Sequence, residues 1–206
     1  MTSKAIDVRK RELYSTDQFY FPRGYEGIKG ILISKGEINS RIRRISQELM
    51  ADYKDKNPIF LGVMTGVVHF FSSLLLDTEN FNFPFEYHFV RASSYIGTDR
   101  KKLKLQTPDL ETLRGKDVVI VEDIVDSGYT LAGIREYLGD VPKSLEFCVM
   151  LDKKDKRIVK DIEPKYIGFT IPDYFVIGYG LDYNDKYRNF PHIAVLEEYV
   201  YSNGEK

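Results

Sequence analysis

The stretch DVVIVEDIVDSGYTL, from Asp117 to Leu131, decides the fold of this 206-residue chain. Its first five residues form an apolar run, which predicts a buried parallel strand from Asp117 to Val121. Two adjacent carboxylates, a third carboxylate and a Ser-Gly turn follow, and the apolar spacing beyond them predicts a helix from Tyr129 to Leu138. Because ligands bind at the carboxyl ends of strands in open α/β sheets, the same stretch predicts where the functional site lies.

The rest of the chain alternates strands and helices around this stretch. A helix is predicted from Glu37 to Tyr53, with Ser34 as its cap and Glu37 completing a capping box. The other predicted elements are strands over 58–64, 85–92, 144–151, 166–169 and 174–177 and a helix over 67–76. This order predicts an α/β fold with a mostly parallel, twisted sheet flanked by helices. Residues 93–107 are predicted to form a long polar loop, and residues 1–30 an irregular arm with one or two short strands.

The composition argues against several classes of function. Lys and Arg total 30 and Asp and Glu total 31, so the chain lacks the basic excess of nucleic-acid-binding modules. The first residues show no apolar leader, and the longest apolar stretch, residues 66–76, is too short to cross a bilayer. The single cysteine, Cys148, suits a reducing compartment. We expect a soluble, cytoplasmic protein with no nucleic-acid or membrane partner.

The turn after the predicted strand has the parts of a phosphate-binding cup. The start of a helix offers free backbone N–H groups and the positive end of the helix dipole, and Ser127 and Thr130 add hydroxyl groups. Gly128 lets the backbone approach a ligand closely. Taken alone, this turn is more often ordinary loop chemistry in which Asp126 caps the helix. The buried strand and the carboxylate pair before it favour the ligand site, while the absence of a closing Lys-Ser or Lys-Thr excludes a Walker-type loop.

The segment resembles the phosphoribosyl-pyrophosphate signature of type I phosphoribosyltransferases, and from about residue 30 to residue 200 the chain resembles the hypoxanthine-guanine phosphoribosyltransferases. The motifs occur in that family's order: GVMTG (62–66), Ser94-Tyr95, the acidic signature, MLDK (150–153) and FVIGYGLDYN (175–184). The signature marks the superfamily, and the last two motifs together mark its purine branch. The resemblance implies one domain over residues 1–206, with a type I core over about 35–170 and a small hood from about 1–34 and 171–206.

The resemblance also implies a role for each matching residue. Asp126 would act as the general acid or base near the purine N7. The ribose and its 5′-phosphate would be held by Glu122, Asp123, Ser127, Gly128, Tyr129 and Thr130. Pyrophosphate would be bound by Thr65, Gly66 and Arg188, the purine by Lys153, Phe175 and Val176, and Mg²⁺ by Glu122, Asp123 and Asp182. Ser94 and Tyr95 would lie at the tip of a loop that closes over the reaction.

One position departs from the family's pattern. Family members usually carry Leu-Lys-Gly where this chain has Met64-Thr65-Gly66, so the lysine side chain is missing. The backbone N–H groups of the turn remain, and the resemblance implies a cis peptide bond between Met64 and Thr65, at least when pyrophosphate or its donor is bound. Lys154 is the alternative to Lys153 if the match is shifted by one residue.

The implied activity is transfer of the 5-phosphoribosyl group from phosphoribosyl pyrophosphate to hypoxanthine or guanine, giving IMP or GMP and pyrophosphate. Mg²⁺ is the implied cofactor, and a homodimer or homotetramer the implied assembly. Two alternatives stay open. A xanthine-preferring enzyme would share these motifs, and a nucleotide-sensing, RNA-binding regulator could use the same fold, although the near-neutral charge argues against it.

Overall fold

The computed structural model of the chain describes residues 4–21, 25–77, 82–97 and 100–202. Its strands are β1 (Ile6–Asp7), β2 (Ile28–Ile33), β3 (Ile59–Met64), β4 (Glu86–Gly97), β5 (Arg100–Gln106), β6 (Asp117–Val125), β7 (Ser144–Asp152), β8 (Tyr166–Thr170), β9 (Val176–Ile177) and β10 (Ile193–Leu196). Its α-helices are α1 (Lys35–Tyr53), α2 (Val68–Leu75), α3 (Leu110–Leu113), α4 (Tyr129–Leu138) and α5 (Glu198–Ser202). Short 3₁₀ turns lie at Thr16–Gln18 and Lys154–Lys156.

The centre of the molecule is a seven-stranded sheet in the order β1-β8-β7-β6-β3-β4-β5. Every neighbouring pair is parallel except β4 and β5, which are antiparallel. Apolar clusters cover both faces, one with α1 and α2 and the other with α4. The prediction of a mostly parallel sheet flanked by helices is therefore confirmed.

Local sequence signals determine where helix α1 begins and which face of helix α4 is buried. Ser34 caps α1, and the reciprocal contacts with Glu37 form the predicted capping box. Helix α4 matches its predicted bounds, and its buried residues are the apolar face Leu131, Ile134 and Leu138. This face anchors α4 against the sheet, so the helix points its N-terminus at the carboxyl end of β6.

A second, three-stranded sheet lies beside the first, in the order β2-β10-β9, with antiparallel pairing. Side chains alternate across it: Val176 and Val195 pack into a cluster shared with the large sheet, whereas Ile177 and Leu196 pack into a separate aromatic-rich cluster on the outer face. The small sheet thus joins segments from the two ends of the chain and stands over one edge of the large sheet's carboxyl end.

The prediction of a long loop over residues 93–107 is wrong. Strand β4 continues to Gly97, and β5 pairs with it from Arg100 to Gln106. The polar composition suggested a loop, but Leu103 and Leu105 alternate with lysines, which is the pattern of an edge strand. Leu105 packs against the cluster on the α4 side of the sheet.

Other differences are smaller. The strand predicted over 174–177 begins only at Val176, and helices α3 and α5 and strand β10 were not predicted from the sequence. Strand β1 pairs with β8 at the edge of the large sheet. Among the described residues, no helix combines the length and apolar character that crossing a membrane requires.

Candidate active site

A cleft of about 450 Å³ opens at the carboxyl ends of β3 and β6, where the small sheet faces the large one. Its floor is the β6–α4 segment that decided the fold, and its walls come from the turn after β3 and from the segment after β9. Among the residues singled out from the sequence, the lining includes Thr65, Gly66, Glu122, Asp123, Asp126, Ser127, Gly128, Thr130, Val176, Asp182 and Arg188. Ile124 also lines the cleft, although no sequence motif singled it out.

Two carboxylates lie side by side on the cleft floor. The backbone N–H of Asp123 donates to Glu122 Oε1 at 3.1 Å, and the N–H of Ile124 donates to Asp123 Oδ1 at 2.7 Å. Burial raises the pKa of both carboxyl groups, and for Glu122 the neighbouring charge of Asp123 raises the pKa further. Arg188 lowers the pKa of Asp123 only as a minor contribution. The negatively charged forms of both carboxyl groups are therefore disfavoured in the free protein, and a cation bound beside them would favour those forms.

Such a pair suits a divalent cation that arrives with substrate oxygens. Mg²⁺ is commonly held by one or two carboxylates together with substrate phosphates and water. In the part of the chain that the structure describes, no three His, Cys, Asp or Glu side chains are grouped to hold a metal by themselves. The residues present thus fit Mg²⁺ that shares its coordination with a ligand, and they do not form a complete protein cage.

The turn after β3 forms the wall opposite the carboxylates. Its Met64–Thr65 peptide bond is cis, as the family resemblance implied. Gly66 packs against Asp123 on one side and against the backbone of Gly180 on the other, where an added Cβ on Gly180 would lie 1.9 Å from the Gly66 carbonyl oxygen. These contacts leave no room for a side chain at either glycine.

The start of α4 has the features of an anion site. Gly128 is the N-cap, with φ of 90°, and so provides no capping side chain. Asp126 therefore does not cap the helix, and the interpretation of this segment as a simple capped turn is wrong. The hydroxyl-bearing residues Ser127 and Thr130 line the cleft beside these helix-start N–H groups. Tyr129 does not line it, and its side chain is 61% exposed.

Asp126 lies in a cluster of alternating charges. Its Oδ2 is 3.8 Å from Lys153 Nζ and 3.6 Å from Lys156 Nζ, and Asp173 Oδ1 is 3.2 Å and 3.1 Å from the same two ammonium groups. Lys153 is buried, whereas Lys154 is exposed, so the chain brings Lys153 to Asp126. Asp126 Oδ1 is buried and has no hydrogen-bond partner among the described residues.

Sequence reasoning missed three members of this neighbourhood: Lys156, Arg157 and Asp173. Arg157 is buried, donates to the backbone oxygen of Asp126 at 3.1 Å, and pairs with Asp152. It also lies against Gly128, where an added Cβ would be 2.9 Å from Arg157 Cδ. The charge run at 153–157 contains Lys156 and Arg157, but nothing in the run alone distinguishes buried lysines and arginines from solvated ones, and Asp173 lies outside it.

The small-sheet side of the cleft carries the remaining candidates. Asp182 Oδ1 and Arg188 Nη2 form an ion pair at 2.9 Å, and Arg188 Nη1 donates to the Gly180 oxygen at 2.8 Å. Val176 lines the cleft, whereas Phe175 does not, because its ring packs on Tyr201 at 4.7 Å. The side chains of Ser94 and Tyr95 lie outside the described part of the structure; their backbone belongs to β4.

Comparisons with known proteins agree with this geometry. Residues 34–184 match the model of the phosphoribosyl transferase domain. The chain is 38% identical over 181 residues to the hypoxanthine-guanine phosphoribosyltransferase of Streptococcus pneumoniae, covering 85% of this chain and 97% of that protein. It is 41% identical over 170 residues to the hypoxanthine phosphoribosyltransferase of Salmonella typhimurium, covering 80% and 93%. The crystal structure of a hypoxanthine phosphoribosyltransferase from Staphylococcus aureus superposes with a TM-score of 0.79 at 35% identity, covering 87% and 97%.

Proposed function

The chain belongs to the phosphoribosyl transferase family, among its hypoxanthine-guanine phosphoribosyltransferases, and we propose that it transfers the 5-phosphoribosyl group from phosphoribosyl pyrophosphate to hypoxanthine or guanine. IMP or GMP and pyrophosphate are the products. One observation carries the proposal: a single cleft is lined by an uncapped helix start, a carboxylate pair and Asp126, and Lys153, outside that lining, lies 3.8 Å from the Asp126 carboxylate. These features can bind a phosphate, a sugar diol and a purine next to one another.

The ribose end of the substrate fits the floor of the cleft. The 5′-phosphate would accept hydrogen bonds from the backbone N–H groups over 127–130 and from the hydroxyls of Ser127 and Thr130. Glu122 and Asp123 would accept hydrogen bonds from the ribose diol and hold Mg²⁺, with Asp182 at a second magnesium site. When bound, Mg²⁺ supplies positive charge to the departing pyrophosphate.

Pyrophosphate fits the wall formed by the turn after β3. The backbone of Thr65 and Gly66 would donate to it, and Arg188 would add a guanidinium group. As the bond from ribose C1′ to the pyrophosphate oxygen breaks, a purine nitrogen forms the new bond to C1′. Arg188 and the backbone donors would stabilise the negative charge that develops on the leaving group.

The purine end fits the charge cluster. Lys153 would donate to the 6-oxo group, and Asp126 would take the proton that the purine loses. Phe175 would stack on the base, and the Val176 backbone would contact its edge. The β4–β5 hairpin, which carries Ser94 and Tyr95, would cover the site and exclude water that could capture the sugar.

An assay with four bases tests the proposal. We expect phosphoribosyl transfer to hypoxanthine and guanine and none to adenine, because an ammonium group opposes the 6-amino donor. Efficient transfer to adenine would contradict the assignment. A strong preference for xanthine would support the xanthine-preferring alternative. The names of the relatives favour neither that alternative nor the RNA-binding regulator.

The domain organisation, the assembly and the cellular location belong to the same proposal. The chain would act as one domain, in which the small sheet and the terminal segments form a hood over a core of about residues 35–170. It would work as a homodimer or homotetramer, which light scattering at several concentrations would test. A cytoplasmic location is consistent with its single, buried cysteine, Cys148.

A further inference from the structure

The turn between β6 and α4 is held by the segment that follows β7. The N–H of Lys153 donates to the Val125 oxygen at 3.0 Å. The N–H groups of Ile158 and Val159 both donate to the Ser127 oxygen, each at 3.0 Å. The three donor residues do not line the cleft. These two carbonyl groups of the turn therefore point away from the cleft, toward the segment after β7.

The carbonyl group between these two is held by a side chain, that of Arg157. Its Nε donates to the Asp126 oxygen at 3.1 Å. Its Nη1 donates to the Ile162 oxygen, and its Nη2 pairs with Asp152. The stem of Arg157 also lies against Gly128, where an added Cβ would be 2.9 Å from Arg157 Cδ. Arg157 is 7% exposed and Asp152 is 3% exposed, so buried partners fix the guanidinium group.

These contacts decide which way the N–H groups of the turn point. In a planar trans peptide group, the C=O and the N–H that follows it point in opposite directions. The cis bond that the structure describes is Met64–Thr65, so the peptide bonds of this turn are trans. With the oxygens of residues 125–127 drawn toward the segment after β7, the N–H groups of residues 126–128 point the opposite way, and all three residues line the cleft. Consecutive N–H groups that face the same way form an anion-binding concavity.

We propose that Arg157 is a positioning residue for the phosphate-binding cup: by holding the Asp126 oxygen, it turns the N–H of Ser127 toward the 5′-phosphate. This inference rests on the proposed function, because it takes the turn as the site of that phosphate. The same contact fixes the backbone of Asp126, the proposed proton acceptor. A guanidinium group holds several acceptors at once in one rigid plane, whereas the ammonium group of a lysine is a point charge on a flexible stem.

Calorimetric titration with ribose 5-phosphate tests the inference, because this probe requires the cup but no base. The main variant combines Asp152→Asn with Arg157→Met, which removes the guanidinium donors and leaves no buried carboxylate unpaired. We expect its Kd for ribose 5-phosphate to rise about tenfold or more, the effect of one lost hydrogen bond to a charged group. Its kcat/KM for phosphoribosyl pyrophosphate should fall about a hundredfold, because the reacting groups are then misplaced. The KM for hypoxanthine should change little, since Lys153 is anchored through its own N–H.

Asp152→Asn alone is the matched control. Its amide oxygen still accepts from Arg157 Nη2, so the Nε contact to the Asp126 oxygen remains, and the Kd and the kinetics should match those of the wild type. Arg157→Lys keeps a positive charge beside Asp152 and replaces the double variant should that variant fail to fold; it should show the same losses. Titrations well below the Tm of each variant separate this role from a purely structural one, which would lower the Tm and leave the Kd unchanged.

Equal Kd values for the double variant and for Asp152→Asn would overturn the inference. A loss of affinity in Asp152→Asn as large as that in the double variant would also overturn it, since the ion pair would then matter and the donor to the Asp126 oxygen would not. A wild type that binds ribose 5-phosphate but transfers phosphoribose to no 6-oxopurine would contradict the proposed function alone. In that case the Kd comparison still decides the role of Arg157.

Discussion

Gly66 lies so close to Asp123 that a Cβ atom added to the glycine would be 1.6 Å from Asp123 Oδ2. Gly66 lies in the turn just after β3, and Asp123 lies near the end of β6, the adjacent parallel strand. The contact sets the width of the cleft between the turn proposed to bind pyrophosphate and the carboxylates proposed to bind ribose.

Gly66→Ala should therefore disable the site while leaving the fold in place. The methyl group must displace either the turn or the carboxylate, and a displacement of about 1 Å at a reacting centre lowers rates about a hundredfold. We expect kcat/KM for phosphoribosyl pyrophosphate to fall at least that far. Gly36→Ala is the control, because its Cβ would meet nothing nearer than Ser34 Oγ at 4.0 Å, and it should keep full activity. Normal kinetics for Gly66→Ala would show that the turn after β3 can shift to accommodate the methyl group without loss of activity.

Glu122→Gln should stabilise the free protein while it abolishes activity. Burial raises the pKa of Glu122 above its ordinary value of 4.5, so its negative charge is disfavoured in the folded state. Below the unfolded pKa both states are protonated, and the variant has no advantage. As the pH rises from the pKa of Glu122 in the unfolded protein to its pKa in the folded protein, the wild type loses stability relative to the variant. Above the pKa in the folded protein, the difference in unfolding free energy between the two is constant.

Thermal melts between pH 4.5 and pH 8 would check this effect. We expect the Tm of Glu122→Gln to exceed that of the wild type by a few degrees at pH values above the folded pKa, equivalent to about 1–2 kcal/mol. Glu111→Gln is the control, because Arg114 lowers the pKa of exposed Glu111 and its removal should not stabilise the protein. A Tm gap that closes as pH rises would contradict the sign of the effect.

Asp126→Asn should lower turnover about a hundredfold or more, the usual effect of losing a general base. The KM for phosphoribosyl pyrophosphate should change little, because the helix start and its hydroxyls remain. Asp173→Asn is the matched control, since Asp173 pairs with the same lysines but does not line the cleft. Near-normal turnover in Asp126→Asn would exclude the proton-transfer role.

Lys153→Ala should raise the KM for 6-oxopurines about tenfold to a hundredfold, as expected for one lost charged hydrogen bond. Lys154→Ala, at the exposed neighbouring position, should behave like the wild type. A larger effect at Lys154 than at Lys153 would show that the sequence match is shifted by one residue. Full activity in Lys153→Ala would contradict the proposed recognition of the base.

Thr65→Lys restores the side chain that this chain lacks. If backbone N–H groups carry most of the binding, the pyrophosphate affinity should change by less than about fivefold, because an exposed ion pair contributes at most about 1 kcal/mol. Isothermal titration with magnesium pyrophosphate measures it, with Thr65→Met as the uncharged control of similar length. A gain of a hundredfold would show that the missing lysine matters.

Local signals determined the parts of the fold that the sequence predicted correctly. The Ser34–Glu37 capping box and helix α4 depend on neighbours in the chain, and both are confirmed. Strand β10 depends on partners more than a hundred residues away, in β2, so short-range patterns do not reveal it. The same holds for the candidate site: motif residues were found, whereas Lys156, Arg157 and Asp173 enter only through tertiary contacts.

The ion pair between Asp182 and Arg188 has a thermodynamic consequence. The two residues are proposed to bind opposite charges, a metal ion and a pyrophosphate, yet in the free protein each neutralises the other. A ligand at either residue competes with this pair, and its binding weakens the competition that the pair offers to the second ligand; Arg188 keeps its other partner, Asp185. Linkage requires this effect to be reciprocal, so metal and pyrophosphate should each tighten the binding of the other by the same factor.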